Sequence, residues 1–71
     1  MNRTPVSSSN LASVGYDPGN RVLEIEFHDG GIYQYFNVPE SRYEGLMKAD
    51  SHGKYFDAHI KKGGYRYKKI R

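Results

Sequence analysis

The stretch Val22-Leu23-Glu24-Ile25-Glu26-Phe27-His28-Asp29-Gly30-Gly31-Ile32-Tyr33-Gln34-Tyr35 decides how this chain folds. Its first six residues alternate with period two. Leu23, Ile25 and Phe27 fall on one face and Val22, Glu24 and Glu26 on the other, the pattern of a half-buried strand with an exposed polar side. His28-Asp29-Gly30-Gly31 supplies turn chemistry, and Ile32 to Asn37 reads as the returning strand. Two registers are open. A two-residue Asp29-Gly30 loop sets Glu26 opposite Tyr33 and Glu24 opposite Tyr35, and turns Gln34 into the apolar face. A three-residue His28-Asp29-Gly30 loop with a left-handed glycine sets Ile25 opposite Tyr33 and Leu23 opposite Tyr35. A buried amide without a partner costs about 1 to 3 kcal/mol, which favours the second register. Tyr33 and Tyr35 then pack on Leu23 and Ile25 with their hydroxyls at the rim.

Upstream, Leu11 to Tyr16 reads as a short strand closed by Asp17-Pro18-Gly19-Asn20, where proline presets its own φ and glycine or asparagine takes a positive one. Residues 1 to 10, MNRTPVSSSN, are polar and read as a disordered N-terminal arm, leaving residues 11 to 71 as a single domain. Downstream, Val38-Pro39-Glu40 stops the sheet and opens a helix on which Tyr43, Leu46 and Met47 form a short apolar stripe. A second helix starts at Ser51, a hydroxyl suited to capping, carries Tyr55, Phe56, His59 and Ile60 on one side, and ends at Gly63-Gly64. The tail from Tyr65 to Arg71 alternates weakly and is a candidate edge strand. The expected class is α+β: a three-stranded antiparallel meander, with this optional fourth strand at its edge, packed against two short helices.

A chain of 71 residues without cysteine has neither disulfides nor thiolate metal sites to staple it, and a domain of this size buries only about 60% of its unfolded surface. No run approaches the roughly 20 apolar residues of a membrane span, and residues 1 to 10 lack a signal-peptide core. The expectation is a cytoplasmic module with no membrane partner. Its oligomeric state is not readable from the sequence.

Catalytic constellations are missing from the pattern. His28, His52 and His59 lack ligand spacing, since His52 and His59 on one helix would stand about 10 Å apart by rise alone. Glu24 and Glu26 share a strand face, as an exposed face requires. Neither glycine pair leads into a phosphate-cradling Gly-Lys-Ser/Thr helix start. The expectation is a non-enzyme that needs no cofactor. A weaker anion device remains in Ser51-His52-Gly53-Lys54, where free backbone N–H groups, a glycine and a cation coincide.

Charge carries the clearest functional signal. Through Gly53 there are four Lys/Arg against seven Asp/Glu, a net of −3; from Lys54 onward there are seven against one, a net of +6. Tyrosines are interleaved with these cations, and single-stranded nucleic acids are held by cationic grooves plus rings on which bases stack. Candidate contact residues are Lys54, Lys61, Lys62, Arg66, Lys68 and Lys69, with Tyr65 and Tyr67 as stacking rings.

The segments Ser13-Val14-Gly15-Tyr16-Asp17, Leu23-Glu24-Ile25-Glu26-Phe27, Gly31-Ile32-Tyr33-Gln34-Tyr35, Val38-Pro39, Ser51-His52-Gly53-Lys54-Tyr55-Phe56 and Ile60-Lys61 resemble the KTSC domain over about residues 8 to 70. That family is a small bacterial and phage module, found alone or at the C-terminus of some lysyl-tRNA synthetases, without an established function and with RNA binding suggested. The resemblance implies motif roles for Tyr33, Tyr35, Ser51, Gly53, Tyr55, Phe56 and Ile60. Where the family often has arginine after that isoleucine this chain has Lys61, which lacks a planar fork for bidentate contacts. The leading expectation is a module that binds tRNA or single-stranded RNA. The alternatives are a protein-interaction module and a nucleotide or anion binder using Ser51 to Lys54.

Overall fold

A computed structural model describes all residues, Met1 to Arg71. Strands β1 (Arg3–Pro5), β2 (Leu11–Asp17), β3 (Val22–Phe27) and β4 (Ile32–Tyr35) run in sequence, followed by helix α1 (Glu40–Lys48). A single helical turn, α2 (His52–Tyr55), continues directly into a π-helical segment (Phe56–Lys61), and strand β5 (Tyr67–Lys69) closes the chain. The five strands form one antiparallel sheet in the order β1-β2-β3-β4-β5.

The central hairpin takes the three-residue register. Leu23 pairs with Tyr35, Glu24 with Gln34 and Ile25 with Tyr33. Gly30 sits at φ +94°, and the amide of Gly30 donates to Phe27 O while Phe27 N donates to Gly31 O. The Asp29 carboxylate braces this loop by accepting from Gly31 N at 2.9 Å. At the β2–β3 turn, Asp17 Oδ1 accepts from Gly19 N, and the positive φ falls on Arg21 rather than on the glycine or asparagine.

Four features depart from the sequence reading. The sheet has five strands rather than three or four, because both chain ends pair with it. Residues 1 to 10, expected as a disordered arm, contain β1, whose register sets Arg3 against Gly15 of β2. From there Arg3 reaches Glu24, and its Nε donates to Ser13 Oγ at 3.0 Å. Gly15 permits this approach, since a Cβ there would lie 2.8 Å from Asn2 O. The glutamate face expected to be open is therefore covered, with Glu24 only 6% exposed and accepting also from Gln34 Nε2 at 2.8 Å. The second helix keeps α geometry for one turn before its hydrogen bonding widens.

On the opposite face, Leu11, Val14, Leu23, Ile25 and Tyr35 of the sheet bury against Val38, Leu46 of α1, and Phe56 and Ile60 of the π-helical segment. Tyr43 and Met47 pack half-buried against this core. Tyr16 ties the layers together: its ring stacks on Tyr43 with centroids 4.9 Å apart, and its hydroxyl donates to Val38 O.

Candidate functional site

The two helical segments do not cover the whole inner face of the sheet. Toward the β4–β5 edge the layer stops at Phe56, and five aromatic rings border the gap. Phe27 of β3, Tyr33 and Tyr35 of β4, Tyr67 of β5 and Phe56 touch in a closed circuit. Ring centroids lie 5.7 Å apart for Phe27–Tyr33, 6.1 Å for Tyr33–Tyr67, 5.6 Å for Tyr67–Tyr35, 5.5 Å for Tyr35–Phe56 and 5.5 Å for Phe56–Phe27. The circuit follows from strand parity. Tyr67 pairs with Tyr35 and Lys69 with Tyr33, so both project on the tyrosine side of the sheet, while Lys68 projects on the other.

The rings enclose a cleft of about 490 Å³, with Lys61 and Asp29 completing its wall. That is within the usual size of small-molecule sites. Its floor is buried and its mouth is open: Phe56 and Tyr35 are 5% and 7% exposed, whereas Tyr67 is 63% exposed. Burial, reinforced by Tyr33 and Tyr67, pushes the Tyr35 hydroxyl up to about 12, so it remains a neutral donor and acceptor at physiological pH. Lys69 Nζ stands 6.0 Å from the Tyr33 ring centroid, at the outer limit of a cation–π contact. An adjoining depression past Tyr33 and Lys69 brings in Arg71.

The sequence candidates separate accordingly. Lys61, Tyr67 and Lys69 meet at the cleft. Lys62 is engaged with Asp57 at 3.3 Å. Tyr65 packs against the core. Arg66 is exposed, with its carbonyl accepting from Phe36 N. Lys54 lies beside Ser7 to Asn10, in a depression that also holds Asp50 and Asp57. Two carboxylates beside one lysine give that depression no positive field for an anion. The cleft therefore gathers three of the eight candidates.

The motif residues around Ser51 have structural duties. Ser51 Oγ caps α2 by accepting from Lys54 N, and His52 Nδ1 donates to Leu46 O at 2.8 Å. Gly53 gives room to Asn10, and Tyr55 Oη fills the space over Gly45. Tyr33 and Tyr35, expected to pack on Leu23 and Ile25, stand opposite them, Tyr35 in the core and Tyr33 half-buried against it, and both also line the cleft. Phe27 and Phe56 as cleft walls were missed by sequence reasoning. Registering the tail against β4 would have exposed the circuit, since it places Tyr67 and Lys69 beside the tyrosine pair.

No group of three or more His, Cys, Asp or Glu is placed to hold a metal ion. Glu24 is taken by Arg3 and Gln34, Glu26 accepts from Ser13 Oγ, and His28 Nε2 donates to Ser8 O. No helix is long and apolar enough to cross a membrane.

Fold and cleft define a small α+β module in which a five-stranded antiparallel sheet carries two short helical segments on one face and an open aromatic cleft at one edge. The chain belongs to the KTSC domain family, whose profile matches residues 7–69. A crystal structure of a KTSC domain protein from Yersinia pestis superposes with a TM-score of 0.93 at 50% identity, covering 99% of this chain and 97% of that one. An uncharacterised protein of Stutzerimonas stutzeri is 43% identical over 70 residues, 99% of each chain. A lysine–tRNA ligase of a Nostoc species is 42% identical over 55 residues, which span 78% of this chain and 10% of that enzyme.

Proposed function

We propose that this domain is a non-enzymatic RNA-binding module that takes one unstacked base of a single-stranded segment into the aromatic cleft and holds neighbouring phosphates with Lys61, Lys69 and Arg71. The observation that carries this reading is the open half of the aromatic circuit, Tyr33 and Tyr67, flanked by cations on both sides. Stacking on such rings contributes about 1 to 3 kcal/mol per base and tolerates any sequence. Similarity to part of a lysine–tRNA ligase, an enzyme that acts on RNA, supports the same reading.

Fluorescence anisotropy with a labelled single-stranded RNA tests it. With about three phosphates neutralised, log K falls against log salt with a slope near −2. Replacing Tyr67 by alanine weakens binding by about one stack, roughly tenfold, while its exposure keeps the melting temperature close to that of the parent. A flat salt response, or an unchanged affinity in the Tyr67→Ala variant, overturns the assignment.

A further inference from the structure

The cleft holds a group that a phosphate-binding surface should avoid. Asp29 is the one carboxylate on its wall, and it also borders the depression past Tyr33 and Lys69 and another beside Leu11 and His28, so it stands at their junction. It is not neutralised: the ion pairs of the molecule are Arg3–Glu24 and Lys62–Asp57. Its only polar engagement is Oδ1 with Gly31 N, which fixes the side chain on the hairpin and leaves most of the carboxylate's acceptor capacity free. Such a group repels phosphate and favours a ligand edge that carries N–H donors.

We propose, resting on the RNA-binding reading above, that Asp29 makes the cleft selective for guanine. The aromatic circuit requires a flat ring system, and the carboxylate requires donors at its edge. Guanine alone among the four bases has two adjacent donor groups, N1–H and N2–H₂, spaced to meet a carboxylate in a bidentate pair. Adenine and cytosine each offer a single amino group, and uracil a single N3–H. Guanine's O6 and N7 acceptors match an ammonium, and Lys61 lines the cleft together with Asp29, so with guanine it serves the base in place of a phosphate.

The test uses uracil-rich single-stranded RNAs that carry one central guanine, inosine, adenine or cytosine, compared with the all-uracil strand. A bidentate base contact discriminates by about 1 to 3 kcal/mol, so guanine should lead by roughly fivefold to a hundredfold. Inosine, which lacks the N2 amine, should fall between guanine and the rest. The Asp29→Asn variant preserves an oxygen for Gly31 N, so its melting temperature should stay near the parent's. It should lose the guanine preference and at the same time bind the all-uracil strand more tightly, because a like charge has gone. Equal affinities across the series in the parent, or a guanine preference that survives in Asp29→Asn, overturn the selectivity and leave RNA binding standing. Failure of every strand to bind at low salt overturns both.

Discussion

At the β1 edge of the sheet, polar groups close on one another; at the β5 edge, rings and cations are left facing outward. Arg3, Ser13, Glu24, Glu26 and Gln34 form one hydrogen-bonded network across four strands, and no buried side-chain polar atom lacks a partner. Tyr67, Lys68 and Lys69 are all exposed. A satisfied network rigidifies and has little capacity left for a ligand. An edge with exposed rings gives up packing and gains a surface on which something else can complete the layer. The contrast assigns stability to one edge and, on the function proposed above, recognition to the other, and it can be attacked at both.

The largest effect belongs to the residue both roles share. Phe56 is a core residue and the cleft floor, so Phe56→Ala should cost about 3 to 5 kcal/mol, enough in a chain of this size to unfold much of the population at moderate temperature. Chemical denaturation would read this directly.

Glu24 comes next and should affect stability alone. Burial by itself would raise its carboxyl, but the bonds from Gln34 and Arg3 outweigh that and hold it below the usual carboxylate range. With the folded value depressed, the unfolded chain binds more protons in this window, so the Glu24 contribution is present above the ordinary carboxylate pKa and is lost as pH falls through the depressed one. Glu24→Ala leaves Arg3 and Gln34 short of an acceptor and should cost about 1 to 3 kcal/mol near neutrality, with a melting curve less sensitive to acid than the parent's and RNA affinity unchanged. Altered RNA affinity at preserved fold would break the division between edges.

Smaller effects sharpen the recognition side. Lys61→Gln should reduce the salt slope by about 0.7, the share of one phosphate on a single strand, or by less to the extent that Lys61 contacts the base rather than the backbone. Lys68→Ala should change affinity least, because Lys68 projects from the face opposite the cleft. A Lys68 effect equal to that of Lys61 would mean that RNA reads the basic tail as a whole and not the cleft.

The hairpin was legible because one polar residue arbitrates it: Gln34 between two tyrosines penalises the wrong parity, and Gly30 supplies the left-handed position the other parity needs. The core stripe Tyr43, Leu46 and Met47 was legible for the same local reason, a repeat at helical spacing. β1 was not. Three residues ending in proline carry no strand periodicity, and what holds them is pairing with β2 together with the contact of Arg3 with Glu24, 21 positions away. The cleft was half legible. Its cations and Tyr67 stood out by composition, but its other walls are assembled by the β4–β5 register, a pairing of residues more than 30 positions apart. The widening of the second helix into π geometry had no signal in the residues that form it.

Because β5 is a three-residue edge strand, its attachment is also a local equilibrium. The strand end is held by a few backbone bonds, among them Ile70 N to Ile32 O at 2.7 Å, Ile32 N to Arg71 O and Phe36 N to Arg66 O. Short exposed edges open far more readily than the strands behind them. Each opening dismantles the wall that Tyr67 and Lys69 provide, so any ligand resting on that wall is linked to strand closure and binds with an affinity reduced by the open fraction. Ligand binding should therefore slow hydrogen exchange at Ile32, Phe36 and Ile70 while amides between β2 and β3 exchange at their former rate.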